Sequence, residues 1–187
     1  GSPSATVEPT TTPTVTPTAP PTPLKSACDD EVLSVLPGAA RADEVGYPTG
    51  RTLLYATAKQ WVVCDDWAIV DGGPPTVFAP HVFSPEVGKE LFLISQDYSM
   101  KTADGAQFVA AGARIPGVQA ISYVFPDGHV QNATMTDSMW SMVYLMADPP
   151  PRVWKDPVVV KVLMDDGSTQ RFELTDMDLC AQVNHGC

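Results

Sequence analysis

Residues 121–136 read ISYVFPDGHVQNATMT, and residues 160–175 read VKVLMDDGSTQRFELT. Laid over one another, the two stretches match Asp127-Gly128 with Asp166-Gly167, Gln131 with Gln170 and Thr136 with Thr175. Ile121, Tyr123 and Phe125 then fall on Val160, Val162 and Met164, while Ser122 falls on Lys161. Beyond the turn, Ala133 and Met135 fall on Phe172 and Leu174, and Asn132 and Thr134 fall on Arg171 and Glu173. A period-two alternation kept through both arms belongs to strands with one buried and one wet face. Asp-Gly supplies the positive φ that tight hairpin turns require. Both stretches are therefore predicted to be amphipathic β-hairpins. A looser third hairpin runs from Phe92 through Asp104-Gly105 to Val109-Ala110-Ala111.

Outward from this repeat the signals remain those of short strands. Leu53–Thr57 and Trp61–Cys64 are β-branched or aromatic and are separated by a polar turn at Ala58–Gln60. Trp67–Val70, Val77–Phe83 and Leu91–Ser95 are further strand candidates. One helix is expected at 27–36. Ser26 and Asp29 have capping-box spacing, Asp29, Asp30 and Glu31 favour the positive end of the helix dipole, and Pro37-Gly38 stops it. Cys28, Val32, Val35 and Leu36 are expected to share its apolar face. A short N-terminal helix followed by hairpin-linked strands describes a mainly β fold, an antiparallel β-sandwich or open barrel.

Residues 1–25 have a different character. The run PTTTPTVTPTAPPTP at 9–23 has almost nothing to bury, so the segment is expected to be a disordered, extended Thr/Pro-rich stalk. Residues 26–187 are expected to form one disulfide-bonded, β-rich domain. At ~3.1 Å per residue a stalk of about 20 residues would hold that domain ~60 Å from an anchor. Gly1-Ser2 reads as a cloning remnant, so a signal or membrane segment is expected upstream as the tether. Net charge is −11, and the stalk holds only Glu8 and Lys25, so the acidity belongs to the folded part. An acidic body repels phosphate backbones and anionic headgroups, which argues against nucleic-acid binding and direct bilayer binding.

The stalk, the strand with Trp61-Val62-Val63-Cys64 and the two Asp-Gly hairpins resemble the extracytoplasmic β-domains of actinobacterial membrane-anchored proteins. Some of those form the outer part of anti-sigma factors or sensor proteins. The resemblance covers mainly 118–176 and the stalk. It implies a compartment outside the cytoplasmic membrane and no particular activity.

Cys28, Cys64, Cys180 and Cys187 form an even set without a C-x-x-C pair, which beside a secretory-looking stalk points to two disulfides. Three pairings are open, and the reading favours Cys28–Cys64, which would pin the helix, with Cys180–Cys187, which would tie down the C-terminus. A zinc site from Cys180, His185 and Cys187 would lack a fourth ligand.

Catalytic signatures are weak. Asp65-Asp66, Asp165-Asp166 and Asp176-x-Asp178 are acid pairs without the alternating ligands of a calcium loop, so no metal or cofactor is expected. There is no G-x-S-x-G elbow and no phosphate-binding glycine pattern. Met139–Met146 holds one polar residue in eight and reads as a strand buried on both faces, with a Met/aromatic partner surface as the alternative. Trp154, Trp140 and Tyr144 are the candidates for a ligand or partner surface, Trp154 because Pro149-Pro150-Pro151 places it in an irregular loop. The function expected from these observations is a non-enzymatic extracytoplasmic sensor or interaction module, its partner a protein or a glycan. A carbohydrate-binding or carbohydrate-active domain is the alternative.

Overall fold

The computed structural model describes residues 25–66, 74–97, 106–146 and 156–175, together with Gly1. The stalk, Trp67–Val70, the turn at Asp104-Gly105, Trp154, Asp176, Asp178, His185, Cys180 and Cys187 lie outside the described residues. The described part is mainly β, in antiparallel sheets with one short α-helix.

The two repeated hairpins sit side by side in one sheet, the third in chain order. The first is β8 (Val118–Val124) with β9 (Val130–Asn132), and the second is β12 (Val158–Met164) with β13 (Thr169–Leu174). Their order is β13-β12-β8-β9, and Lys161 pairs with Ser122, flanked by Val160↔Tyr123 and Val162↔Ile121. Exchanging the copies maps this pairing onto itself, so a local two-fold relates the hairpins through the Ser122–Lys161 pair. The turns match as well. Gly128 and Gly167 adopt φ +86° and +82°. Their N–H groups donate to Phe125 and Met164 C=O at 2.9 Å each. Asp127 and Asp166 accept from the N–H two residues on, at 2.9 and 2.8 Å. This is the hairpin loop in which the glycine alone takes the left-handed position. Ile121, Tyr123 and Phe125 are buried, as are Val160 and Val162, whereas Met164 packs at the margin of the core.

A second sheet has the order β10-β11-β7-β6, from β6 (Ser95–Asp97), β7 (Ala106–Ala113), β10 (Thr134–Met135) and β11 (Met139–Met146). The expected third hairpin is present as the β6–β7 pair, Ser95 facing Val109. The first sheet holds β1 (Ala40–Tyr47), β2 (Gly50–Ala56), β3 (Gln60–Asp66) and β4 (Thr76–Val77) in that order, and β5 (His81–Val82) also pairs with β3.

Strand alternation explains how these layers stack. Val62 and Cys64 of β3, with Leu53 and Tyr55 of β2, face helix α1 (Cys28–Val35) and its buried Cys28, Val32 and Leu36. Leu54, Trp61 and Val63 point the other way, onto Ala113 and Met139 of the second sheet. The opposite face of that sheet, Phe108, Ala110, Trp140 and Met142, closes on the third sheet around Phe92 and Ile94. A Cβ at Gly112 would come within 2.8 Å of Trp140 Nε1, so the glycine makes room for the indole. Helix, sheet, sheet and sheet thus lie in sequence, and the second sheet is buried on both faces where the others cover it.

Cys28 and Cys64 are joined, with Cα atoms 6.0 Å apart. Ser26 N–H donates to Asp29 Oδ2 at 2.9 Å, the reciprocal half of the expected capping box, while Ser26 Oγ accepts from Cys28 N–H at 3.2 Å. Three expectations need correction, and one strand was not expected. Val35 is exposed, because residues 28, 32 and 36 already define the buried stripe. Val77–Phe83 is two short bridges rather than one strand, since Pro80 cannot donate to a ladder. Leu91–Ser95 is not a strand. It begins as the end of a 3₁₀ turn (Lys89–Phe92), with β6 starting only at Ser95. Strand β1 is not foreshadowed in the strand signals, the first of which is Leu53–Thr57.

Candidate functional site in a cleft between the first and second sheets

Strand β3 places Trp61, Val63 and Asp65 on one face, toward the second sheet. Two of these are apolar, and the third is a carboxylate where the alternation calls for an apolar side chain. Asp65 is only 1 % exposed. Thr52, one strand away and directly opposite, donates its hydroxyl to Oδ1, and the Ser95 side chain of β6 also lowers the pKa of the carboxyl. Because the single Thr52 proton is used in this way, the Tyr47 hydroxyl, 3.3 Å from Thr52 Oγ1, is the donor to it. A hydroxyl chain therefore runs from half-buried Tyr47 to the buried acid. Oδ2 of Asp65 has no protein partner.

Burial raises the Asp65 pKa and the Thr52 and Ser95 hydrogen bonds lower it, the balance lying at about 6. The carboxyl borders a cavity of about 30 Å³, also walled by Trp61, His81 and Glu90. A space of this size holds one water molecule or a group of similar size. A larger cleft of about 300 Å³ shares Trp61, His81, Glu90 and Leu91 with it and adds Phe83, Glu86 and Arg114.

The elements that build the cleft follow from local chemistry. β5 pairs with β3 so that His81 lies opposite Trp61, and their rings stack at 4.6 Å. Burial lowers the His81 pKa and the Glu90 charge only partly restores it, so the imidazole is neutral at pH 7. Gly88 leaves open the space over which the Glu90 carboxylate folds, which a Cβ would occupy. Arg114 is turned away to the Thr136 carbonyl at 3.4 Å. Among the described residues lining the two spaces, Asp65, Glu86 and Glu90 outnumber Arg114, so the cleft is acidic.

The residues singled out in the sequence are placed differently. Trp140 is fully buried between the second and third sheets and presents no surface. Tyr144 is half-buried, stacked on exposed His129 at 4.0 Å, with its hydroxyl 3.3 Å from Asp127. Trp154 lies outside the described residues. Asp65 and Asp66 point to opposite faces and share no site. Asp66 accepts from Ser26 Oγ at 2.5 Å and pairs with Arg51 at 3.2 Å on the helix side. Asp165 and Asp166 belong to the hairpin turn. Among the described residues no three His, Cys, Asp or Glu side chains are grouped to hold a metal ion.

No family model, curated protein or solved structure matches this chain. The site is therefore read from its own chemistry. The Cys28–Cys64 disulfide points to an oxidising compartment.

The buried acid makes stability depend on pH in a specific sense. The folded state holds the Asp65 proton up to about pH 6, while the unfolded chain releases it near the ordinary 3.8. The native state thus binds more protons across this window, and stability falls as pH rises through it, by ~3 kcal/mol in all. Asp29 acts oppositely. Burial raises its pKa, but bonds from Tyr55, Ser26 N–H and Arg41 outweigh this and bring it to about 2, so its contribution is lost as pH falls from 3.8 through 2. Asp65→Asn is expected to stabilise the protein by up to ~3 kcal/mol at pH 8 and by little at pH 4. Urea melts at the two pH values check this, and an equal offset at both would show that the carboxyl is not desolvated.

Proposed function

We propose that this chain is an extracytoplasmic sensor or interaction module, non-enzymatic, that takes a small ligand or ligand arm in the cleft between its first and second sheets. One observation carries the reading: Asp65 is buried with no partner at Oδ2, and the residue lines a cavity beside a larger cleft. A buried acceptor without a partner costs free energy that a bound donor returns. The disulfide and the Thr/Pro-rich stalk support a place outside the cytoplasmic membrane. Glycoside hydrolysis is disfavoured by size. Two carboxyls must both reach the scissile bond, and the space at Asp65 admits only a water-sized group. The carbohydrate-binding alternative rests on the exposed His129 ring stacked on Tyr144 beside Asp127, a polar-edged aromatic shelf.

A thermal-shift screen of small polar and amphipathic compounds tests the proposal. Stabilising compounds are expected whose effect is lost in Phe83→Ser, a change at an exposed cleft wall. Stabilisation by glycans, indifferent to Phe83→Ser and abolished by Tyr144→Ala, would favour the alternative. No stabiliser sensitive to the cleft would sink the proposal.

A further inference from the structure

We propose that the cleft selects a primary ammonium group on an apolar arm, its nitrogen in the inner cavity donating to Oδ2 of Asp65. The arm would lie against Phe83 and Leu91 in the outer cleft. This inference rests on the reading of the cleft as a ligand site and names the chemistry of what enters it.

Four observations converge on this chemistry. The inner cavity, about 30 Å³, has room for a head the size of one water. An –NH3⁺ group meets that limit, whereas a planar guanidinium or a quaternary ammonium does not. The vacant atom is a carboxylate oxygen, which calls for a donor and gains most from a cationic one. The approach is lined by Glu86 and Glu90 against a single guanidinium, Arg114, a balance that attracts cations and disfavours carboxylates and phosphates. The outer cleft, about 300 Å³, offers apolar wall to a short alkyl arm. Water occupies the same position less favourably, since it leaves the buried charge uncompensated.

The pH dependence follows from the groups facing Asp65. β2 contributes the Thr52 hydroxyl, β6 the Ser95 hydroxyl and β7 the apolar Val109, Ala110 and Ala111. Among the described residues, the other titratable groups lining the cavity are His81 from β5 and Glu90 from the 3₁₀ turn. The ammonium needs Asp65 ionised, and an alkylamine stays protonated to about pH 10. Affinity should therefore rise about tenfold from pH 5 to pH 7 as Asp65 titrates around 6, then level off.

Calorimetry of the full chain decides, using n-hexylamine, n-hexylguanidine and n-hexanol at pH 5 and pH 7. The expected result is binding of hexylamine, at least tenfold tighter than either control and tightening with pH. Asp65→Asn should abolish it. Ala111→Val, which fills the inner cavity and leaves the carboxyl in place, should abolish it too, should the first variant fold poorly. Replacing hexylamine with Nα-acetyl-lysine methylamide separates the sources: binding of both marks a lysine side chain of a protein partner as admissible, and binding of hexylamine alone marks a free amine. Equal binding of hexanol and hexylamine would overturn the ammonium inference while leaving the cleft a ligand site. Absence of any Phe83-sensitive ligand in the thermal screen would remove both.

Discussion

Val162→Asp is expected to leave the chain unfolded at 25 °C. Val162 is fully buried at the centre of the third sheet, paired with Ile121 on one side and Gln170 on the other. Its copy across the local two-fold is Tyr123, also fully buried, whose hydroxyl donates to the Phe92 carbonyl at 2.9 Å. A carboxylate at 162 would be surrounded by apolar side chains with no counter-charge. That costs several kcal/mol, comparable with the 5–15 kcal/mol that typically holds a domain together. Lys161→Asp, one residue away on the wet face, should change stability by no more than ~0.5 kcal/mol. Far-UV circular dichroism of both variants reads the difference. A folded Val162→Asp beside an unfolded Lys161→Asp would mean that the two faces of the sheet are inverted.

Loss of the Cys28–Cys64 bond is the second large effect. The bond closes a loop over a sequence separation of 36, for which the chain-entropy argument gives about 4 kcal/mol. It acts where the fold has least else to rely on, since an eight-residue helix does not persist in water by propensity. The polar contacts beneath it give partial cover: Asp29 holds Tyr55 at 2.6 Å and Arg41 at 3.0 Å, and Ser26 holds Asp66. The Cys28→Ser/Cys64→Ser double variant is expected to lose 3–5 kcal/mol by urea titration, about the range seen when native disulfides are removed from small secreted domains. A loss under ~1 kcal/mol would show that these polar contacts alone seat the helix. Non-reducing peptide mapping of the unaltered chain is expected to recover Cys28 joined to Cys64.

The parts of this fold that were legible in the sequence are those specified by local chemistry. The Asp-Gly hairpins carried both a period and a turn signal, and the two copies agreed at every inward position. Helix α1 carried a cap, an acidic first turn and a Pro-Gly stop. Strand β1 carried none of these. Ala40–Tyr47 has alternating exposed and half-buried residues and becomes a strand because β2 offers it an edge. The segment 91–95 is apolar on both alternating faces, so periodicity could not tell a strand from a turn. The turn wins because it sends Phe92 between Trp140 and Phe172 while Leu91 stays in the cleft wall.

The cleft was the least legible part, because its walls come from β2, β3, β5, β6, β7 and the 3₁₀ turn and exist only once two sheets pack. One signal was nevertheless present. In Trp61-Val62-Val63-Cys64-Asp65 the acid occupies the inward parity set by Trp61 and Val63. Counted as half of an acid pair with Asp66 it is weighed only as a calcium ligand and set aside. Counted by strand parity it marks a carboxylate committed to the interior.

The measurement that tests the central claim most directly is the titration of the Asp65 carboxyl, followed by its side-chain ¹³C resonance. A midpoint near pH 6 that moves downward when n-hexylamine is added is the predicted result. A midpoint at the ordinary carboxylate value near 3.8, unmoved by the amine, would contradict both the buried, unpartnered acid and the site built on it.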